Sequence, residues 1–328
     1  ACAEQAQEKH ELAEYSGKER CFYRSIGIFQ ALLSALFFSV QALFVNRVND
    51  VNPLEITFFR MTVQAICIVP VVAYQKQSFI GEATDRWALL ARAIFGTLSM
   101  SLMYYAIHHM PLGDASVLHF SSPVFVGLLA CVLLKEACGI FEVVTTIFTL
   151  CGIVFIAQPH FIFRTNIKSA KYTESERLIA SGCALGASAC GAAVHISLRK
   201  LKHVHFSTVV FTYSVWGMIQ SGILTYIIGA WTLPKSWRTW LELIGVGVTA
   251  VMAQTCFTKA LQTENAGTVS LLRSMEIVFA FMWQLIIIYD FPHLFSIIGA
   301  AIISLCAVAQ GVRKWINHNN TKSKSTPS

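Results

Sequence analysis

GDASVLHFSSPVFVGLLACVLLKE (residues 113–136) and GTVSLLRSMEIVFAFMWQLIIIYD (residues 267–290) are two copies of one segment. At a fixed offset of 154, residues 106–141 match residues 260–295 without a gap. Ala106 meets Ala260, Gly113 meets Gly267, Ser116 meets Ser270, and Leu118 meets Leu272. Val124, Phe125 and Phe141 meet Val278, Phe279 and Phe295, which makes seven identities in 36 positions. Glu136 falls opposite Asp290, an acid at the end of an apolar run in both copies. Shared apolar composition is the competing explanation. A glycine, a serine and a terminal acid held in register argue against it.

Working outward from this pair, ten apolar runs appear, at roughly 26–46, 53–74, 88–108, 112–134, 138–157, 178–198, 206–231, 239–261, 266–289 and 292–312. A helix crosses the hydrocarbon with about 20 largely apolar residues. In lipid only a helix or a closed barrel satisfies its own backbone. The chain is 55% hydrophobic and 13% charged, about half the charge of an average soluble domain. The expected fold is therefore an all-α membrane protein of ten transmembrane helices. Residues 26–157 and 178–312 form two five-helix repeats, joined by a central loop at 158–177. Residues 1–25 and 313–328 are polar tails. Five is an odd number, so the second repeat enters from the opposite face and the repeats are inverted, an architecture of secondary transporters with a midplane site.

Lys and Arg number about fifteen on the side of the termini and about seven on the other, which places both termini in the cytoplasm. The four basic residues of the central loop vote against this placement. Asn319-Asn320-Thr321 would then be an unused glycosylation sequon. The membrane is expected to be the plasma membrane or an endomembrane of the endoplasmic reticulum or Golgi. The net charge of +7 is dispersed between apolar segments, so nucleic acid is not an expected partner. Most of the ten cysteines lie in apolar runs without a CxxC pair and are read as buried thiols, not as disulfides or metal ligands. Cys21, beside the first run, is a candidate for palmitoylation. No HExxH, GxSxG or Walker A pattern occurs, so neither an enzyme nor ATP-driven transport is expected. No cofactor is expected either.

Two stretches carry a family resemblance: NPLEITFFRMTVQAI (52–66), with Phe58-Phe59-Arg60, and 113–136, with Pro123-Val124-Phe125 before Glu136. On these the chain resembles the drug/metabolite transporter superfamily, with two copies of its EamA module, and within it subfamily G of the solute carrier 35 family. The resemblance covers residues 26–312 and implies transport without naming the solute. The second half departs from the pattern. Thr212 stands where Arg60 does when Phe59 is matched to Phe211, and Asp290 replaces the terminal Glu. Motifs of some nucleotide-sugar transporters in the group are missing, which argues against that substrate.

Charges deep in a span face a cavity or a partner, because lipid does not solvate them. Arg60, His119, His195, Arg273 and Glu276 lie well inside their runs. Arg92, Glu55, Glu142 and Glu242 lie nearer the ends and are expected to snorkel to the interface. His119 and Arg273 share one repeat position, each about 10 Å along its helix, and are expected to face a common axis. Ser122 and Glu276 pair three residues on, on the same helix face. Arg60, His119, Ser122, Arg273 and Glu276 are thus the candidate substrate-binding residues. Simpler readings stay open: His119 as a core histidine, Arg273 with Glu276 as a structural ion pair, and Arg60 as a tie to a neighbouring helix. The cationic excess favours an organic anion, gripped by an arginine fork. Glu276 or His119 is positioned to exchange a coupling proton. Gly182 and Gly186, in SGCALGASACGAA, are expected to mark a close helix contact.

The function expected is non-ATP transport of a small organic solute by alternating access, with the bilayer and a second copy as a homodimer as the other partners. The alternative is a regulatory membrane protein that keeps this fold and acts by binding another membrane protein.

Overall fold

The computed structural model describes residues 17–48, 50–110, 112–134, 139–157, 174–229, 231–234, 236–288 and 294–324. Among the described residues there is no strand. The helices are α1 Gly17–Arg47, α2 Pro53–Tyr74, α3 Arg86–His109, α4 Leu112–His119, α5 Ser122–Leu129, α6 Ile140–Ala157, α7 Glu174–Lys200, α8 Phe206–Ile228, α9 Trp237–Thr263, α10 Ala266–Arg273, α11 Met275–Ile288 and α12 Leu294–Lys324. Local chemistry sets their ends. Asn52 Oδ1 accepts from Leu54 N (3.0 Å) with Pro53 opening α2, which satisfies a first-turn donor. Gly229 closes α8 at φ 66°, a left-handed turn open to glycine.

Among the described residues, six spans are long and apolar enough to cross a membrane: Ile26–Arg47, Pro53–Tyr74, Arg86–Ile107, Val117–Leu134, Leu178–Lys200 and Trp237–Thr263. Ile140–Phe155 and Ile297–Gln310 are shorter apolar helices. Large apolar side chains such as Ile66, Val132 and Leu305 stand about two-thirds exposed on the outside of the bundle. That is the surface of a protein whose solvent is hydrocarbon.

The pairing of the helices shows the inversion directly. α2 packs on α8 and α6 on α12, each helix against its own equivalent in the other half. α1 packs on α9 while α3 packs on α7, a pair of contacts that exchange when the halves are swapped. Every pair is antiparallel. Gly152 meets Gly299 while Glu142 meets Arg313, and Gly245 lies against Phe44 while Phe257 lies against Phe38. Equivalent helices that run in opposite directions are what an inverted repeat requires. Fully buried Ala31, Ala35, Ala250 and Ala253 bring α1 and α9 together, and Ala184 and Ala187 do so for α7 against α3. In lipid, close packing replaces the hydrophobic effect as the force between helices.

The fourth helix of each half is interrupted at the same repeat position. The first breaks between His119 and Ser122, the second at Ser274, and Phe120 is the repeat partner of Ser274. Each interruption closes with a tight turn: Val124 N donates to Ser121 O (3.0 Å), and Ile277 N to Ser274 O (3.2 Å). Pro123 explains the first, since it lacks an N–H and clashes with the carbonyl of His119. Ile277 stands at that position in the second half. A π turn, Ala130–Leu134, follows α5.

Several expectations need correction. α1 begins nine residues before the expected span, and α12 continues twelve beyond it, so helix reaches into both tails. Gly182 marks no close contact: a Cβ there would meet nothing within 4 Å, and at Gly186 it would meet Leu102 Cδ1 at an ordinary 3.4 Å. The close approach is at Gly152, where a Cβ would lie 2.9 Å from the carbonyl oxygen of Gly299. Cys131 is disulfide-bonded, contrary to the reading of all the cysteines as thiols. Glu136, Asp290 and most of the central loop (158–173) lie outside the described residues, as do the side chains of Cys21, Ser116 and Asn319.

Candidate functional site

The deep charges converge between the halves. Arg273, at the end of α10, donates from Nε to Glu276 Oε2 (3.4 Å) across the interruption. Its guanidinium lies over Phe38 of α1 (4.4 Å) and Phe257 of α9 (4.8 Å). His195 of α7 meets the edge of Phe257 at 5.0 Å and donates from Nδ1 to its own helix at Gly191 O, 2.9 Å away. Arg60, 3% exposed on α2, reaches Met100 Sδ of α3 at 3.1 Å. Tyr213 of α8 donates its hydroxyl to the same sulfur at 3.4 Å. Over the Tyr213 ring, at 4.2 Å, sits Arg92 of α3, which donates from Nη2 to Gln254 Oε1 of α9 at 3.0 Å.

These groups form one electrostatic unit. Arg92 lies near enough to Arg60 and Arg273 for their charges to act on it, and Arg273 acts likewise on His119 and His195. Glu276 is within reach of both Arg273 and Arg60. Two guanidinium groups thus act on one carboxylate, and Arg92 lies beside them. Polar capacity is left over as well: Arg60 Nε, Arg92 Nε, His119 Nδ1, His195 Nε2 and both amide atoms of Gln64 are buried without a hydrogen-bond partner. Gln64 lies one turn after Arg60, on the same face of α2. Native interiors leave few such groups unpaired. Beside Met100 opens a small cleft, lined by Thr57, Thr97, Ser101, Tyr104, Gln220 and Ser221 among others. Gln220 accepts from Thr97 Oγ1 and from Trp216 Nε1 (3.2 Å) and donates to Ser101 Oγ (3.4 Å).

Two clasps close the bundle on either side of this cluster. At one end Glu55, fully buried in the first turn of α2, accepts from Thr232 N (2.9 Å), Thr232 Oγ1 (2.8 Å) and Leu233 N (3.1 Å), in the segment after α8. At the other end Thr208, in the first turn of α8, donates to Ser78 O (2.8 Å), in the segment after α2. Swapping the halves exchanges the clasps.

A family model described as the EamA-like transporter family matches residues 25–158 and, a second time, residues 178–309. The chain belongs to that family. It is 35% identical to solute carrier family 35 member G1 of Homo sapiens over 303 residues, covering 92% of this chain and 83% of that one. It is 26% identical to the pseudopaline exporter CntI of Pseudomonas aeruginosa over 287 residues, covering 86% of this chain and 95% of that one. A solved crystal structure superposes with a TM-score of 0.74 at 15% identity, over 86% of this chain and 95% of its own, which is likeness of fold. The resemblance to subfamily G of the solute carrier 35 family is thereby borne out, and the chain is a multi-pass membrane transporter by family.

In this EamA-like chain, Arg273 bonds Glu276 and its charge reaches His119, while Arg60 acts on Glu276 from α2. Ser122 opens α5 beyond the interruption, half-buried. Its neighbour Ser121 is the one that reaches across, to Ser188 of α7 at 3.3 Å. Arg92 does not snorkel to the interface: at 2% exposure it belongs to the cluster. It lies six residues into α3, about 9 Å along the helix, nearly the depth of His119 in its run. Depth measured from the helix start would have found it. Glu55 is likewise fully buried instead of solvated, and only its partners 177 and 178 residues away explain why. Glu142 is held near the end of α6 by Arg313 Nη1 at 2.6 Å.

Proposed function

We propose that this chain carries a small organic anion across a membrane by alternating access, without ATP, through ten membrane crossings. The single observation that supports it best is the excess of cation at the centre: Arg60, Arg92 and Arg273 against Glu276, with guanidinium nitrogens left unpaired. A buried charge without a partner is costly, and an arrangement that keeps such charges is paid back when an anion arrives. Arginine suits the role because its fork meets a carboxylate or phosphate with two parallel hydrogen bonds. The two clasps supply ends that can open in turn, as alternating access needs. An interrupted helix in each half is in keeping with this reading, since inverted-repeat transporters bind their solutes at discontinuous helices. On this reading both termini are cytoplasmic, and Glu276 or His119 is the group through which a proton gradient would act.

The test is uptake of labelled organic anions into proteoliposomes, with and without a pH gradient. Arg273→Gln is expected to abolish uptake while the protein still folds, with poor rescue by Arg273→Lys. If Arg273 serves only to neutralise Glu276, the double variant Arg273→Gln with Glu276→Gln restores full uptake, and Arg273 has no binding role. If no organic anion is taken up or raises the melting temperature of well-folded protein, the chain is a regulator that acts by binding another membrane protein.

A further inference from the structure

Arg60 and Arg92 differ from Arg273 in the company they keep. Arg273 has a carboxylate at 3.4 Å. Arg60 rests on a thioether, Met100 Sδ, at 3.1 Å. Arg92 rests on an amide, Gln254 Oε1, at 3.0 Å and on the face of a phenol, Tyr213, at 4.2 Å. All three of those neighbours are neutral. Both arginines are at least 97% buried, and both hold an Nε–H without an acceptor. They are also close to each other: Tyr213 bonds the sulfur that Arg60 contacts and lies beneath the guanidinium of Arg92.

Two like charges held together in a low-dielectric interior repel strongly. No carboxylate is bonded to either arginine among the described residues, since Glu276, although within reach of Arg60, is bonded to Arg273. A solute with one negative charge would leave one guanidinium uncompensated. A solute with two would satisfy both, and each unpaired Nε–H would gain an acceptor. Met100, which Arg60 touches, also lines a small cleft of hydroxyl and amide groups.

We infer that the transported anion is a small dianion, a dicarboxylate or a phosphate monoester, and that Arg60 and Arg92 are the two groups that hold its charges. This rests on the anion-transport reading above and narrows it. The shared chemistry is two negative charges on a short polar body, and the two sources differ in whether the charges sit on one phosphorus or on two carbons.

The experiment compares matched probes on the full-length chain in nanodiscs. Melting temperature and competition for uptake are measured with malonate, succinate and sn-glycerol 3-phosphate, against propionate, butyrate and neutral glycerol. A dianion is expected to stabilise and compete at least tenfold better than its matched monoanion. The stronger of the succinate and glycerol phosphate arms names the source. Arg60→Gln and Arg92→Gln are each expected to bring that ratio close to one. Arg60→Lys and Arg92→Lys, which keep the charge and guard against misfolding, are expected to retain most of it. If monoanions serve as well as dianions on the wild-type protein, the inference is overturned while the anion reading stands. If no anion acts and glycerol does, both fall.

Discussion

The two clasps occupy equivalent places and are made of different chemistry. At the Thr232 end, a buried carboxylate gathers three hydrogen bonds from two successive residues. At the Ser78 end, one neutral hydroxyl donates one bond to a carbonyl. When Phe59 is matched to Phe211, Glu55 falls on Ser207. Ser207 turns to its own helix start, bonding His205 Nδ1 at 2.7 Å. Each clasp has an aromatic pair beside it, Phe58 with Trp231 at 5.2 Å and Phe211 with Phe79 at 5.1 Å. The difference teaches that inversion duplicates the architecture of the two ends without duplicating their strength. Bonds to an ionised group are worth roughly twice those between neutral ones, so the Thr232 end is the more firmly shut.

The largest effect is expected from Glu55→Ala, which leaves Thr232 and Leu233 without their acceptor. A loss of about 3 kcal/mol is expected, with a lower melting temperature and faster amide hydrogen exchange at Thr232 and Leu233. Unchanged exchange there would break the comparison at its strong end. Trp231→Leu removes an edge-to-face pair and is expected to cost about 1 kcal/mol. Phe79→Leu at the other end should cost about the same, since the two pairs have nearly equal geometry; a large disparity in melting temperature would show that the ring pairs, and not the carboxylate, set the difference. Thr208→Val takes away one neutral bond, for about 1 kcal/mol, and a loss as large as that of Glu55→Ala would erase the asymmetry. The smallest change is expected from His203→Gln. His203 meets Asp85 at 2.8 Å but is 61% exposed, so the change should stay within about 0.5 kcal/mol.

What could be read from the residues, and what could not, divides along contact range. The duplicated segment and the depth of Arg60 and Arg273 are properties of one helix at a time. They are legible because apolar length and repeat register run along the chain. Arg92 was misplaced because an arginine near a helix end has two outcomes, and which one holds depends on Gln254, 162 residues away. Gly182 and Gly186 show the converse error. Their spacing permits a close approach, yet the neighbouring helix lies against Ala184 and Ala187 instead. Small residues allow contact without specifying which of them makes it.

By itself the sequence determined that this chain lives in lipid, that it is helical, and that it is built of two copies of one module. Hydrocarbon leaves the backbone few alternatives, and an odd module repeated in tandem must invert. Only the tertiary structure decided which charges face one another. Packing α1 on α9 and α3 on α7 interleaves the halves, and that interleaving brings Arg60 and Arg273 to one acid with Arg92 beside them. It also decided that the two ends close unequally, because a clasp is made between a helix start in one half and a segment of the other, a distance no local pattern spans.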